Sequence, residues 1–299
     1  MPSLTDAVRD QVVVLDGGLA TEPERRGNDL SMPLWSARLL ADEPAEIVAA
    51  HRAFADAGAQ VAITASYQAS FEGLGAEAAA LMRRSVSIAR EATSGWVAAS
   101  IGPYGAVRAD GSEYRGDYGL TVAELRAFHR PRLQVLADAG ADILAVETIP
   151  CLAEVEALLA ELDAVGVPAW LSLTCAGTRT RAGEPAEAAF AMARDCPAVF
   201  AVGVNCTDPR DAPDLVSLAA RASGRPVVVY PNSGETWAGR SWRGSAVFSA
   251  DDVTDWIRRG ARLVGGCCRV GPAEIEQLAR TVRAAGVEVD RTGEDSGLA

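Results

Sequence analysis

"VVVLDG", residues 12–17, is aliphatic for four positions and then turns acidic and small. A strand with one wet face alternates apolar and polar residues; a continuous apolar run reads as a parallel strand covered on both faces. Two folds use such strands, and the residues immediately after the run separate them. A dinucleotide-binding doubly wound sheet carries G-x-G-x-x-G directly after its first strand. Here the chain continues "GLATE" (18–22), and that fingerprint is absent. The open sheet therefore becomes the runner-up to a closed barrel.

The same kind of run recurs as "VAITAS" (61–66), "VAASIG" (97–102), "ILAVET" (143–148), "WLSLTC" (170–175), "FAVGVNC" (200–206), "VVVYPN" (227–232) and "RLVGGC" (262–267). Each is followed by an Ala/Leu/Glu/Arg-rich helical pattern with its own punctuation. Thr121–Glu124, "TVAE", is a capping box, "SADD" (249–252) has a similar form, and Gly58, Gly140 and Gly260 suit left-handed helix ends. Pro131 falls inside the helix begun at Thr121 and is expected to kink it. Eight β-then-α units without a composition break predict a single (β/α)8 TIM-type barrel in the α/β class, spanning residues 1–286. Residues 287–299, ending "DRTGEDSGLA", are expected to form a disordered tail. Two connections, 102–119 and 231–244, are too long to be turns. Both follow strand C-termini, where barrels build their active sites, and both read as binding loops.

The chain has 299 residues, 49% of them hydrophobic, and a formal net charge of -12. That surface argues against a nucleic-acid partner, which needs clustered Lys and Arg. No apolar stretch reaches the length of a membrane span, and "MPSLTDAVRD" is too polar for a signal peptide. A cytoplasmic location is expected, where thiols stay reduced. Six cysteines then read as free, metal-binding or catalytic, and with only two histidines, His51 and His129, a His-based triad has little to work with.

Cys206 ends the sixth run, and Cys267 and Cys268 end the eighth, in "LVGGCCRV" (263–270). Adjacent residues of a regular strand point to opposite faces. Both thiols reach one object only if the strand breaks, and Gly265 and Gly266 permit that. Strands six and eight share a side-chain layer at a barrel mouth. Three thiolates there suit Zn2+ with an open fourth position. The competing reading is three small buried hydrophobes. Cys151 and Cys175 also lie near strand ends, whereas Cys196, before Pro197, reads as structural.

With "LDGGLATE" (15–22), "LWSARLL" (34–40), "TASYQAS" (64–70), "IGPYGA" (101–106), "GSEYRGDY" (111–118), "ETIP" (147–150), "GVNC" (203–206), "YPNSGE" (230–235) and "GGCCR" (265–269), the chain resembles the homocysteine S-methyltransferases over about 12–285. It is nearer to the short bacterial and plant enzymes that use S-methylmethionine than to the betaine-dependent ones. The resemblance implies zinc on Cys206, Cys267 and Cys268, and methyl transfer from a sulfonium to homocysteine, giving methionine. It also implies that Asp16, with Gly17 beside it, and Glu147 contact the substrate. Thr64 and Ser66 are placed to donate to its carboxylate. Tyr67, Tyr104, Tyr114 and Trp237 are candidates for the donor cation, which favours aromatic faces. Two positions depart from the family pattern, Pro23 and Gln60, and both are expected to act locally. The C-terminal extension of the betaine enzymes is missing, which puts betaine use and their tetramer in doubt; a monomer or weak homo-oligomer is expected. Two other readings remain open. One is a non-enzymatic zinc/thiol redox sensor in which Cys267 and Cys268 form a vicinal disulfide. The other is a methyltransferase acting on selenocysteine.

Overall fold

Each of the eight apolar runs forms a strand in the computed structural model, which describes residues 1–28, 34–108, 110–238 and 241–286. The expected tail, 287–299, lies outside the described residues. The strands are β1 (Val13–Val14), β2 (Val61–Ile63), β3 (Trp96–Ile101), β4 (Ile143–Ile149), β5 (Ala169–Leu173), β6 (Val199–Asn205), β7 (Val227–Tyr230) and β8 (Ala261–Val264). Their order is β1-β8-β7-β6-β5-β4-β3-β2, with every hydrogen-bonded pair parallel. One bridge, Leu15 to Val61, brings β1 to β2 and nearly closes the barrel.

A helix follows each strand: α2 (Pro44–Asp56), α3 (Ala78–Ala92), α4 (Val122–Asp138), α5 (Leu152–Leu162), α6 (Ala186–Ala193), α7 (Ala212–Ser223), α8 (Val253–Arg258) and α9 (Pro272–Ala285). The capping box at Thr121 is formed, with Thr121 N–H donating to Glu124 Oε2 at 2.8 Å. The helix it opens continues through Pro131 to Asp138. Pro23 falls in the first turn of the short helix Thr21–Arg25, where a proline forfeits no intrahelical bond.

Side-chain period two sorts the core into two layers. Val13, Leu15, Trp96, Ala98, Trp170, Val228 and Leu263 cluster inside the barrel. Val12, Val14, Val97, Ala99, Leu144 and Val146 belong instead to the cluster shared with the helices. Each fully buried Val or Leu contributes roughly 1.5–3 kcal/mol. An extra helix, α1 (Leu4–Asp10), adds Leu4, Ala7 and Val8 to the inner cluster and so covers one end of the barrel.

The seam between β1 and β2 is completed by side chains. Gln60 accepts from Val14 N–H through Oε1 at 2.9 Å while its own N–H donates to Val14 O at 2.8 Å. Farther along, Asp16 Oδ2 accepts from Ile63 N–H at 2.8 Å. The device is repeated: "ADAGAQ" (55–60) is matched by "ADAGAD" (137–142), and Asp142 Oδ2 accepts from Val97 N–H at 2.7 Å. In both places the residue before an even-numbered strand caps the backbone of the strand preceding it.

Candidate active site

At the C-terminal ends of the strands, a cavity of about 280 Å³ opens among the βα loops. Cys206, Cys267 and Cys268 lie in its wall, their three sulfurs within 4.8 Å of one another. The strand does break as the adjacent pair requires. β8 stops at Val264, Cys267 N–H donates to Pro231 O at 2.7 Å, and Val270 N–H returns to Cys267 O at 3.1 Å, which makes a turn. The glycines before it serve close approach, since neither has positive φ. A Cβ on Gly266 would sit 2.2 Å from Val270, and one on Gly265 would sit 2.7 Å from Leu15. Gly17 and Gly18 complete the fit, because a Cβ on either would lie 2.4 Å from a carbonyl oxygen of that turn. The left-handed positions belong to Cys206 (φ 47°) and Arg269 (φ 68°).

Cys206 is bonded to Cys267 in a disulfide with Cα atoms 5.6 Å apart, and Cys268 Sγ lies 3.9 Å from Cys206 Sγ. The vicinal Cys267–Cys268 disulfide of the sensor reading is therefore not the pairing found. Burial pushes the Cys268 thiol up to about 11; Tyr114 opposes the shift, and the charges of Glu147 and Glu113 add to it. The neighbouring Arg269 bonds Glu235 at 3.2 Å. Cys151 and Cys175 are buried outside this cluster, and Cys196 Sγ lies 3.4 Å from Asp163 Oδ1 near α5.

Glu147 projects into the same cavity from β4. Ser100 donates to its Oε1, and the Tyr230 hydroxyl donates to its Oε2 at 2.9 Å. Burial raises its pKa to about 7 in spite of those two bonds. Asp16 lies behind the cavity wall, fully buried, with Oδ1 unpartnered. Burial raises its pKa well above the ordinary value, and Glu147 adds to the shift. The next residue after Glu147, Thr148, has φ 62°, an unfavourable conformation for a β-branched side chain. Asn205 holds it there: Oδ1 accepts from Thr148 N–H and Nδ2 donates to Thr148 Oγ1, both at 2.7 Å, and Ser172 also donates to Oδ1 at 2.7 Å.

Thr64 lines the cavity and Ser66 lies behind it. Their hydroxyls pair at 2.7 Å, Ser66 donates to Ser100 O at 2.8 Å, and Ser100 N–H donates to Thr64 Oγ1 at 3.0 Å. Ser66 thus spends its hydrogen on the backbone and Thr64 spends its own on Ser66, so in this state both serve to hold Ser100 under Glu147. Tyr67 and Tyr114 line the cavity. Tyr104 does not; its ring stacks edge-on against Tyr118 and Phe128 at 5.3 and 5.0 Å. Trp237 lies in a hairpin strand, Thr236–Ala238, opposite Trp242, and its side chain is outside the described residues. Trp242 lines the cavity, as does Glu113 from the other long loop. Sequence reasoning passed over Ser100, Asn205, Tyr230, Glu113 and Trp242. Only their presence in or beside the quoted motifs signalled them.

A barrel with its polar residues and thiols gathered at the strand C-termini is the architecture of an enzyme. Residues 13–282 match the family model for homocysteine S-methyltransferase. The chain is 45% identical to homocysteine S-methyltransferase 4 of Zea mays, over 91% of this chain and 90% of that one. It is 42% identical to homocysteine S-methyltransferase YbgG of Bacillus subtilis (strain 168), over 91% and 95%. Among solved structures, the metallated form of the homocysteine methyltransferase MmuM from Escherichia coli superposes with a TM-score of 0.81 at 40% identity, covering 91% of this chain and 96% of that one. The oxidised form of the same protein gives 0.83 at 41% identity, covering 93% and 98%. The chain belongs to the homocysteine S-methyltransferase family and is a methyltransferase. No helix among the described residues is long and apolar enough to cross a membrane.

Proposed function

We propose that the chain moves a methyl group from a sulfonium donor to the thiol of L-homocysteine, with Zn2+ on Cys206, Cys267 and Cys268. The observation that carries this reading is the convergence of three thiols in the wall of a cavity that also holds Glu147. The donor set suits the metal. Tetrahedral zinc–thiolate bonds of about 2.3 Å put ligand sulfurs roughly 3.8 Å apart, and Cys206 and Cys268 stand at 3.9 Å. Reduction of the Cys206–Cys267 bond frees those two cysteines to join Cys268 as ligands. Buried thiols beside two carboxylates favour the protonated form, and a cation overcomes that. When bound, zinc supplies the positive charge that keeps the acceptor sulfur a thiolate at neutral pH.

The protein's own residues bind and orient. Glu147, fixed by Ser100 and Tyr230, takes the homocysteine ammonium, whose positive charge also favours ionisation of the buried Asp16 behind it. The methyl carbon gains a bond to the acceptor sulfur as its bond to the sulfonium breaks, and the donor leaves as a neutral thioether. No proton moves in that step, so no histidine base is needed. S-methylmethionine is the preferred donor, S-adenosylmethionine second and betaine poor, on the strength of the motifs shared with the short enzymes. Selenocysteine makes nearly the same demands on the pocket and is the alternative acceptor. A thiol sensor would account for the disulfide but leaves Glu147 and its two supporting hydroxyls without a purpose. One chain holds every residue invoked, so a monomer suffices, and a reducing cytoplasm suits the three thiols.

The test is methionine formation with S-methylmethionine, S-adenosylmethionine and betaine offered separately, and with selenocysteine replacing homocysteine in a parallel set. Betaine turnover at or above that of both sulfoniums refutes the donor assignment.

A further inference from the structure

Two acidic side chains in the cavity wall take no part in the methyl transfer, and one of them, Glu24, faces Arg269 at 4.0 Å. Glu113 sits on the short turn Ser112–Tyr114, within the long loop that follows β3. Its Oε2 is sealed from solvent and accepts no hydrogen bond. A buried carboxylate oxygen without a donor is costly, and native structures rarely leave one without a reason. The loop's own cations are committed elsewhere: Arg108 pairs with Asp110 at 3.2 Å and Arg115 with Asp117 at 3.3 Å. Burial raises the Glu113 pKa, which the nearby Arg115 only partly offsets.

The position is built. A Cβ on Gly105 would lie 2.3 Å from Glu113 N, so the helix Tyr104–Arg108 packs directly onto the Glu113 backbone. Ser112 N–H donates to Asp110 Oδ1 at 3.0 Å, and Gly116 N–H donates to Ser112 O at 2.9 Å. Tyr67, Tyr114, Cys267 and Cys268 line the same cavity as Glu113, which places it among the aromatic rings and the sulfurs.

The role of that oxygen rests on the proposed function. Homocysteine and either sulfonium donor are both amino acids, so the cavity receives two ammonium groups, and Glu147 with Asp16 accounts for one. We infer that the Glu113 carboxylate, turning towards the cavity it lines, accepts hydrogen bonds from the α-ammonium of the methyl donor, which makes it the anchor of the donor's amino-acid end. An unpartnered acceptor oxygen calls for an N–H donor, and a sulfonium centre has none to give. The sulfonium itself is better served by the faces of Tyr67 and Tyr114.

The test compares the zinc-loaded protein with its Glu113→Gln and Glu113→Asp variants, using two donors. S-methylmethionine carries both sulfonium and ammonium; dimethylsulfonioacetate carries the sulfonium alone. Glu113→Gln is expected to raise the KM for S-methylmethionine roughly 10–100-fold, the value of a charged hydrogen bond, with Glu113→Asp intermediate. The KM for dimethylsulfonioacetate and the melting-temperature rise given by homocysteine should stay as in the parent, which also shows that the variant is folded. An equal loss with both donors, no loss with either, or a lost homocysteine response would overturn the assignment. Absence of methyl transfer from any sulfonium by the parent protein would overturn the proposed function, and the donor anchor with it.

Discussion

A cysteine ligates as thiolate, and a serine hydroxyl is a far poorer ligand, so the three converging thiols define a sharp test. Purified under reducing conditions, the protein is expected to hold about one zinc per chain, a single site of the tetrahedral kind. Cys206→Ser, Cys267→Ser and Cys268→Ser should each lower both metal content and activity, whereas Cys175→Ser and Cys196→Ser should leave metal content intact. Full zinc content in any of the first three would remove that residue from the site. Glu147 gives a second test. Its pKa in the free protein is about 7, and an ammonium partner favours the ionised form. Ligand affinity should therefore rise with pH through that value and level off above it. Methionine carries the same amino-acid group without a thiol proton. Its affinity, measured by calorimetry, is expected to rise roughly tenfold from pH 6 to 8 and to be weaker and flat in Glu147→Gln. An unchanged pH profile in that variant would assign the titration to another group. At this scale the cysteines and Glu147 were legible because polar residues at the ends of buried strands are conspicuous. Ser100 and Tyr230 were not, since nothing in "VAASIG" or "VVVYPN" distinguishes an inward hydroxyl from an ordinary strand residue.

Elements, in contrast, announced themselves through apolar runs, but their ends did not. The run 12–17 yields a strand of only two residues, Val13–Val14, because Asp16 and Gly17 already belong to the loop over the cavity. The hairpins Cys175–Ala176 with Arg179–Thr180 and Thr236–Ala238 with Ser241–Arg243 were also unforeseen, being too short to carry a periodic signal. What joins β4 to β6 is one amide. Removing it in Asn205→Ala leaves the Thr148 N–H and the Ser172 hydroxyl without their partner and frees a strained backbone beside Glu147. With about 1–3 kcal/mol for each buried group left unsatisfied, the variant is expected to lose several kcal/mol in chemical denaturation. Its homocysteine affinity should fall as well, because the backbone next to Glu147 loses the amide that fixes Thr148. Native stability in Asn205→Ala would show that Thr148 keeps its conformation unaided. Gly266→Ala brings a Cβ to within 2.2 Å of Val270 and so displaces the turn that carries both thiols. Zinc content should drop although every ligand remains.

For the molecule as a whole, the eight-unit rhythm made the barrel readable, while its closure depended on interactions that no rhythm encodes. His51 is one consequence of a closed interior. It is buried in α2 with neither ring nitrogen hydrogen-bonded, and burial lowers its pKa to about 4. The unfolded chain, with an ordinary value near 6.5, takes up the proton first. The stability tied to neutral His51 is therefore complete above about pH 6.5 and lost as pH falls towards 4, a swing of roughly 3 kcal/mol. Glu147, whose native pKa is raised, acts with the opposite sign between its unfolded value and about 7, so the His51 contribution has to be isolated by difference. His51→Leu should unfold less steeply on acidification than the parent, and parallel curves would show that His51 does not titrate on unfolding. The other consequence lies at the seam, where Gln60 and Asp16 bind the β1 and β2 backbones in place of a continuous ladder. Such a joint is held by two side chains, one backbone bond from Gln60 N–H to Val14 O and a single bridge, with no continuous ladder to tear. The amides of Val14 and Ile63 are expected to exchange with deuterium faster than those along β4 and β5. On the proposed function, an amino acid held at Glu147 places its ammonium close to the buried carboxylate that receives the Ile63 N–H. The exchange rate of that one amide then becomes a clock for how often the mouth breathes, and the substrate itself sets its pace.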